Sequence, residues 1–269
     1  MNRIDEIFTR LRDEQRAAFM PYITAGLPDL GATAKLLTEL PDAGADLIEL
    51  GIPFSDSIAD GPTIQTSFND VLTRGITAAE IFRTVRGVRD RVDAAICAMV
   101  SFTLVDHHGA EQYAAMCREA GIDGLIVPDL PPEEASALAA AAEAAGLATI
   151  FLVAPTTSAE RPQQIIAATR GFLYCISVTG ITGERADLPA HLTEYVARLR
   201  AATDKPLCVG FGISTAAQSA AVGRIADGVI VGSAIVRRLL GDGDAESKVF
   251  AALEVVRELS APLRQASDR

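Results

Sequence analysis

A closed barrel of eight strand–helix units, the α/β class known as the (β/α)8 or TIM barrel, is the fold the sequence predicts, on three observations. Eight short apolar runs recur along the chain: FMPYIT (19–24), DLIEL (46–50), AICAMVS (95–101), GLIV (124–127), LATIFLV (147–153), FLYCIS (172–177), LCVG (207–210) and GVIV (228–231). Segments of helical period separate them, among them GATAKLLTELPDAG, AEQYAAMCREAG and PEEASALAAAAEAAG, and strand–helix alternation of this kind argues for parallel pairing. The third observation is length: 269 residues suit one such barrel, and no linker marks a boundary, so residues 1–269 are expected to form a single domain.

The elements follow in order. Ahead of the first run, Ile4, Ile7, Phe8 and Leu11 recur at helical spacing. They predict an extra amphipathic N-terminal helix within residues 1–14 that plugs the bottom of the barrel. The helices after the first, third and fourth runs finish on Gly44, Gly121 and Gly146, as left-handed C-caps do. After the second run, Pro62 suits the first turn of a helix. SVTGITGERADLP (177–189), after the sixth run, mixes Gly, Thr and charge without apolar periodicity and reads as a long mobile active-site loop. VGFGIST (209–215) precedes a helix with Ser214 or Thr215 as N-cap and Gln218 three residues beyond Thr215.

Composition narrows the function classes. Lys and Arg total 24 against 35 Asp and Glu, a net charge of −11, which disfavours nucleic acid and anionic membranes as partners. Small molecules and proteins are favoured instead. Cys97, Cys117, Cys175 and Cys208 show no C-x-x-C spacing, and three of them lie in apolar strand-like runs, a pattern of a reducing compartment. Residues 1–15 are too charged for a signal peptide, and no apolar run approaches the roughly 18 residues of a membrane span. A cytoplasmic protein is expected.

Active sites of such barrels lie at the C-terminal ends of the strands. Glu49 sits at the end of the second run, and side-chain alternation places it and Leu47 on one face, opposite Ile48 and Leu50. Asp60 follows 11 residues later on the same strand-to-helix loop. Either the two acids face one pocket, or Asp60 merely caps the helix at Pro62 and Glu49 is a paired structural acid. After the seventh and eighth runs, Gly210, Gly212, Gly232 and Ser233 precede helices, where backbone amides bind phosphate. No Lys or Arg occurs from Val209 to Gly223 or from Asp227 to Val236, so amides and a helix dipole would hold the anion. His107 and His108 lack companions at metal-ligand spacing, and no metal site is expected. Lys35 and Lys248 fall in helices and Lys205 precedes a strand, which disfavours a Schiff-base aldolase. Tyr174 is either a site residue pointing into the barrel or a structural tyrosine whose hydroxyl needs a partner.

Taken in order, FMPYITAGLPD, DLIELGIPFSDSIADGPTIQ, GLIVPDLPPEE, SVTGITG, VGFGIST and VGSAIV closely resemble the tryptophan synthase alpha family, from the N-terminal helix to about residue 260. The block from Glu49 to Gln65 is the most specific piece. The resemblance implies retro-aldol cleavage of indole-3-glycerol phosphate to indole and glyceraldehyde 3-phosphate. It implies Glu49 as the acid/base at ring carbon C3 and the adjacent hydroxyl, and Asp60 as the partner of the indole N–H. It further implies Tyr174 as an active-site tyrosine, Tyr22 and Phe211 as indole-pocket residues, and Gly183, Gly212, Gly232 and Ser233 as the phosphate site. Thr182 would position Asp60 on loop closure, and Asp56 would organise the loop or face a partner. The implied partner is a pyridoxal-phosphate-dependent beta subunit, in a tetramer of two alpha and two beta chains, with no cofactor in this chain.

Two departures fall on surfaces the resemblance assigns to that partner. The stretch from Ser101 to Gly109 lacks the family's aromatic followed by Asn, and Ser57 and Ile58 replace its usual Pro-Leu. A stand-alone indole-releasing lyase is therefore an alternative. So is a catalytically silent barrel that binds the phosphate ligand and activates a partner, although retention of Glu49, Asp60 and Tyr174 argues against it.

Overall fold

The computed structural model describes residues 2–55, 57, 60–157, 161–176, 191–210 and 212–264. Eight parallel strands form the barrel: β1 (Ala18–Thr24), β2 (Leu47–Gly51), β3 (Ala95–Met99), β4 (Gly124–Ile126), β5 in two pieces (Ala148–Ile150 and Leu152–Val153), β6 (Leu173–Ile176), β7 (Leu207–Gly210) and β8 (Gly228–Val231). Every pairing is parallel and joins neighbours in the chain, apart from β1 with β8, which brings the two ends of the series together. On the remaining side, the backbone amides of Arg170 and Tyr174 donate to the carbonyls of Thr149 and Phe151 (2.8 and 3.1 Å), so β5 also meets the β6 side. The eight apolar runs of the sequence are these eight strands.

Side-chain alternation on the strands sorts the core into two layers. Ala18, Met20, Leu47, Ala95, Cys97, Ile126, Ala148, Ile150, Phe172, Tyr174, Cys208 and Ile230 fill the barrel interior. Residues of the opposite face, such as Ile48, Leu50, Ile96, Leu125, Val209 and Val229, pack with the surrounding helices. The helix Arg3–Asp13 belongs to the interior cluster through Ile4, Ile7, Phe8 and Leu11, and Phe8 meets Phe172 at 5.9 Å between ring centroids. Asn2 starts this helix with a capping box shared with Asp5. The Asn2 side-chain amide also donates to the carbonyls of Asp123 and Gly146, both at 2.8 Å, which fixes the helix beneath β4 and β5.

A repeated polar device fastens the N-terminal ends of the strands. Asp46, just before β2, accepts the Phe19 amide of β1 (3.0 Å) and two hydrogen bonds from the Arg16 guanidinium (2.8 and 3.0 Å). Asp123, before β4, likewise accepts the Ile96 amide of β3 (2.8 Å) and pairs with Arg89 (2.9 Å). Asp227, before β8, accepts the Leu207 amide of β7 (2.8 Å) and pairs with Arg200. Each carboxylate thus satisfies a strand-end donor and a guanidinium together, which offsets the cost of placing charge near the core.

Helix ends follow the local chemistry of the sequence. Gly44 and Gly121 are left-handed C-caps, and Gly146 adopts a left-handed conformation one residue after the cap position Ala145. All four cysteines are buried and unbridged.

Candidate active site

The C-terminal ends of β1, β2, β6, β7 and β8 carry most of the predicted site residues. Glu49 points into the barrel from β2 and is 3 % exposed. Its Oε1 has no hydrogen-bond partner among the described residues. Burial first, and the charge of Asp60 second, push the Glu49 carboxyl up to about 8. A group so placed holds a proton at neutral pH and can give it up to a basic atom brought close, which is the property of a general acid.

Asp60 does not cap the helix it precedes. That helix, Pro62–Thr73, has Gly61 as its N-cap, no side-chain cap and Pro62 in its first turn. The half-buried Asp60 carboxyl is raised to about 6, by burial and then by the charge of Asp129. The charge of Asp60 reaches Glu49, so the structure brings the two acids of the sequence block near one another. The loop is held by Gln65 from the first turn of the helix: its side-chain amide donates to the carbonyls of Ser57 (3.0 Å) and Asp60 (2.8 Å), while the Asp60 amide donates to Ser57 (3.0 Å). Gln65 was part of the recognised block, yet its latching role depends on a loop conformation that sequence spacing does not reveal.

Two tyrosines flank the acids. Tyr22 of β1 lies in register with Glu49, and Tyr174 of β6 in register with Leu152 and Cys208. They are 5 % and 4 % exposed. Burial raises both phenols well above their ordinary range; Asp60 adds most to the rise at Tyr22, and Glu49 at Tyr174. Tyr174 belongs to the interior cluster and points into the barrel. Glycines make room for both rings: a Cβ at Gly51 would collide with Tyr22 Oη, and one at Gly210 would lie 2.7 Å from Tyr174 Oη. Close approach, rather than an unusual turn, is what glycine supplies at these two strand ends. Met99, Leu152 and Ile176, at the ends of their strands, are partly buried against the interior cluster and give the mouth apolar walls. Their strand-end positions were legible, but their exposure to the mouth was not.

The two candidate phosphate loops differ. Thr215 is the N-cap of the helix Ala216–Gly223 and shares a capping box with Gln218, as its spacing predicted. Gln218 Oε1 accepts the amides of Ser214 (2.8 Å) and Thr215 (3.2 Å), so those donors are engaged. Gly212, with φ +86°, stands before them in a left-handed turn. The helix Ser233–Leu240, by contrast, begins at Gly232 with no side-chain cap, which leaves its first amides for an anion. Phe211, Thr182, Gly183, Asp56 and the whole of the loop 177–189 lie outside the described residues. His107 and His108 end the helix Phe102–His108, whose start is tied to Asp129 through Ser101 Oγ (2.7 Å) and the Phe102 amide. Among the described residues no cluster of His, Cys, Asp and Glu could hold a metal, and no helix is long and apolar enough to cross a membrane.

Fold and site together define a class: a parallel α/β barrel with a buried, proton-holding glutamate and a half-buried aspartate at the C-terminal mouth and uncapped helix amides beside them. Comparison with known proteins narrows the class. The family model described as tryptophan synthase alpha chain matches residues 8–264. The chain is 44 % identical to the tryptophan synthase alpha chain of Geobacter sulfurreducens over 269 residues, 99 % of each chain. It is 46 % identical to that of Chloroflexus aggregans over 260 residues, 96 % of this chain and 97 % of the relative. The crystal structure of tryptophan synthase subunit alpha from Legionella pneumophila superposes with a TM-score of 0.90 at 35 % identity, covering 98 % of both chains. A chain of Mycobacterium tuberculosis tryptophan synthase gives 0.89 at 35 %, again covering 98 % of both. The protein belongs to the tryptophan synthase alpha chain family.

Proposed function

We infer that this chain is a carbon–carbon lyase that cleaves indole-3-glycerol phosphate to indole and glyceraldehyde 3-phosphate in tryptophan biosynthesis. The observation that carries the reading is the buried Glu49 carboxyl, raised to about 8, with an unpartnered Oε1 beside Asp60. Protonated Glu49 delivers its proton to ring carbon C3, and the indole nitrogen becomes cationic. Asp60 accepts a hydrogen bond from that N–H and stabilises the charge. The carbinol next to the ring then loses its hydroxyl proton to the Glu49 carboxylate. Its oxygen becomes the aldehyde oxygen, and the electron pair of the breaking carbon–carbon bond returns to the ring and neutralises it. Glu49 ends the cycle protonated, so one group gives and takes one proton.

Tyr174, Tyr22 and Phe211 would form the walls around the indole, Gly183, Gly212, Gly232 and Ser233 would bind the phosphate, and Thr182 would hold Asp60 when the loop closes. The uncapped start of the helix at Gly232 supports the phosphate assignment. The single barrel domain, residues 1–269, works in this reading with a beta subunit as a cytoplasmic tetramer of two alpha and two beta chains, and pyridoxal phosphate belongs to the beta subunit. The altered stretch from Ser101 to Gly109 supports one second reading, a lyase that releases indole without a partner.

Glu49→Gln tests the central assignment. The substitution is expected to abolish indole release while leaving the affinity for indole-3-glycerol phosphate, measured by calorimetry, nearly unchanged, because it removes a proton transfer and spares the phosphate site. Near-normal turnover would sink the assignment.

A further inference from the structure

We propose that the Tyr22 hydroxyl is a hydrogen-bond donor to the glycerol chain of the substrate, at the carbinol next to the bond that breaks. The proposal rests on the lyase reading above and adds to it a polar contact at a residue otherwise read as part of the indole pocket.

Three observations carry it. First, Tyr22 Oη is buried and has no hydrogen-bond partner among the described residues. Glu49 Oε1, from the residue in register with Tyr22 on the neighbouring strand, has none either. The two atoms are not bonded to each other, so each has its hydrogen-bonding capacity open at the same mouth. A buried phenol without a partner is unfavourable, and phenylalanine would give the same ring packing without that cost. The one side chain that acts on this phenol by hydrogen bonding, Thr24, is itself held by Ser67 at 2.6 Å, so the fold gains little from this oxygen.

Second, room is kept for the oxygen. It lies over Gly51, two residues beyond Glu49 on the same face of β2, where any Cβ would collide with it.

Third, Tyr22 stands between the two ends of the proposed ligand. β1 pairs with β2, which carries Glu49, and with β8, which leads into Gly232. A Cβ at Gly232 would lie 3.5 Å from Tyr22 Cβ. A ligand with its ring at Glu49 and its phosphate at the amides after Gly232 must run its three-carbon chain past Tyr22. The chain bears the hydroxyls that a phenol O–H can reach. Donation to the carbinol oxygen would orient its proton toward Glu49 and stabilise the oxygen as that proton leaves.

Tyr22→Phe removes one atom, and two ligands isolate its effect. Indole-3-glycerol phosphate carries the hydroxyls; indole-3-propanol phosphate, with a plain three-carbon chain, does not. Binding of both is measured by calorimetry in the Glu49→Gln background, with and without Tyr22→Phe. The expected result is a loss of about tenfold in affinity for the glycerol ligand and less than about twofold for the propanol ligand, as for a site group that loses its partner. In the Glu49 protein, kcat/KM should fall at least as far, and the urea midpoint of Tyr22→Phe should match or exceed that of the parent. Equal affinities for the glycerol ligand with and without Tyr22→Phe would overturn the proposal. So would an equal loss for both ligands, which would assign Tyr22 to ring packing alone, or a lowered urea midpoint, which would show that the hydroxyl has a partner within the fold. Absence of indole release by the unaltered chain would instead overturn the lyase reading, so the two failures are distinguishable.

Discussion

Glu49 is costly to the fold. Its ordinary value near 4.5 applies to the unfolded chain, whereas the folded protein holds the proton up to about 8. The folded state therefore binds more protons between those two values, and stability falls as pH rises through that window, reaching its lowest contribution above about 8. Glu49→Gln removes the penalty. Urea unfolding should give similar stabilities for the two proteins near pH 4.5, and an advantage for the variant on the order of a few kcal/mol at pH 9. A variant equally stable at pH 9 would show that the carboxylate is well solvated in place. At this scale the sequence was informative about where the two acids lie, because strand alternation put Glu49 inward and spacing put Asp60 on the same loop. It was silent on Tyr22 Oη and Gln65, since an unpartnered oxygen and a side chain reaching back to Ser57 and Asp60 are facts of packing and loop shape.

The strands owe their order to matched ends as much as to apolar faces. Asp46, Asp123 and Asp227 each join a strand-end amide to an arginine, at the face of the barrel opposite the site. Asp46 is 7 % exposed, and removing its carboxylate leaves the Phe19 amide without its acceptor and Arg16 with Glu14 alone. Asp46→Ala should destabilise the chain by about 3 kcal/mol, read as a lowered urea midpoint at constant slope, with kcat and KM of the remaining folded protein unchanged. A change in KM would mean that the two faces of the barrel are coupled. Apolar periodicity revealed each of these strands but not the device, because an aspartate before a strand reads as an ordinary turn residue until its partner 30 residues away is known. The capping box of Thr215 and Gln218 was legible for the opposite reason: both partners lie within one helical turn.

At the scale of the whole molecule, the strand count and the N-terminal plug could both be read from the chain, because a barrel repeats one local pattern eight times. Assembly could not be read in this way. The resemblance assigns the stretch from Ser101 to Gly109 and Ser57 to the partner-facing surface, and there the chain departs from its family's pattern while the carboxyl pair is intact. The fold supplies a fixed helix there, with Ser101 and Phe102 bound to Asp129, which also acts on Asp60. Contact at this surface thus has a short physical route to Asp60, the acid proposed to meet the indole nitrogen. The most direct test is indole release from indole-3-glycerol phosphate by the purified chain, with and without a tryptophan synthase beta subunit from the same organism. The account predicts slow release by the chain alone and a sharp rise on adding the beta subunit; binding of the ligand with no indole formed under either condition would contradict it.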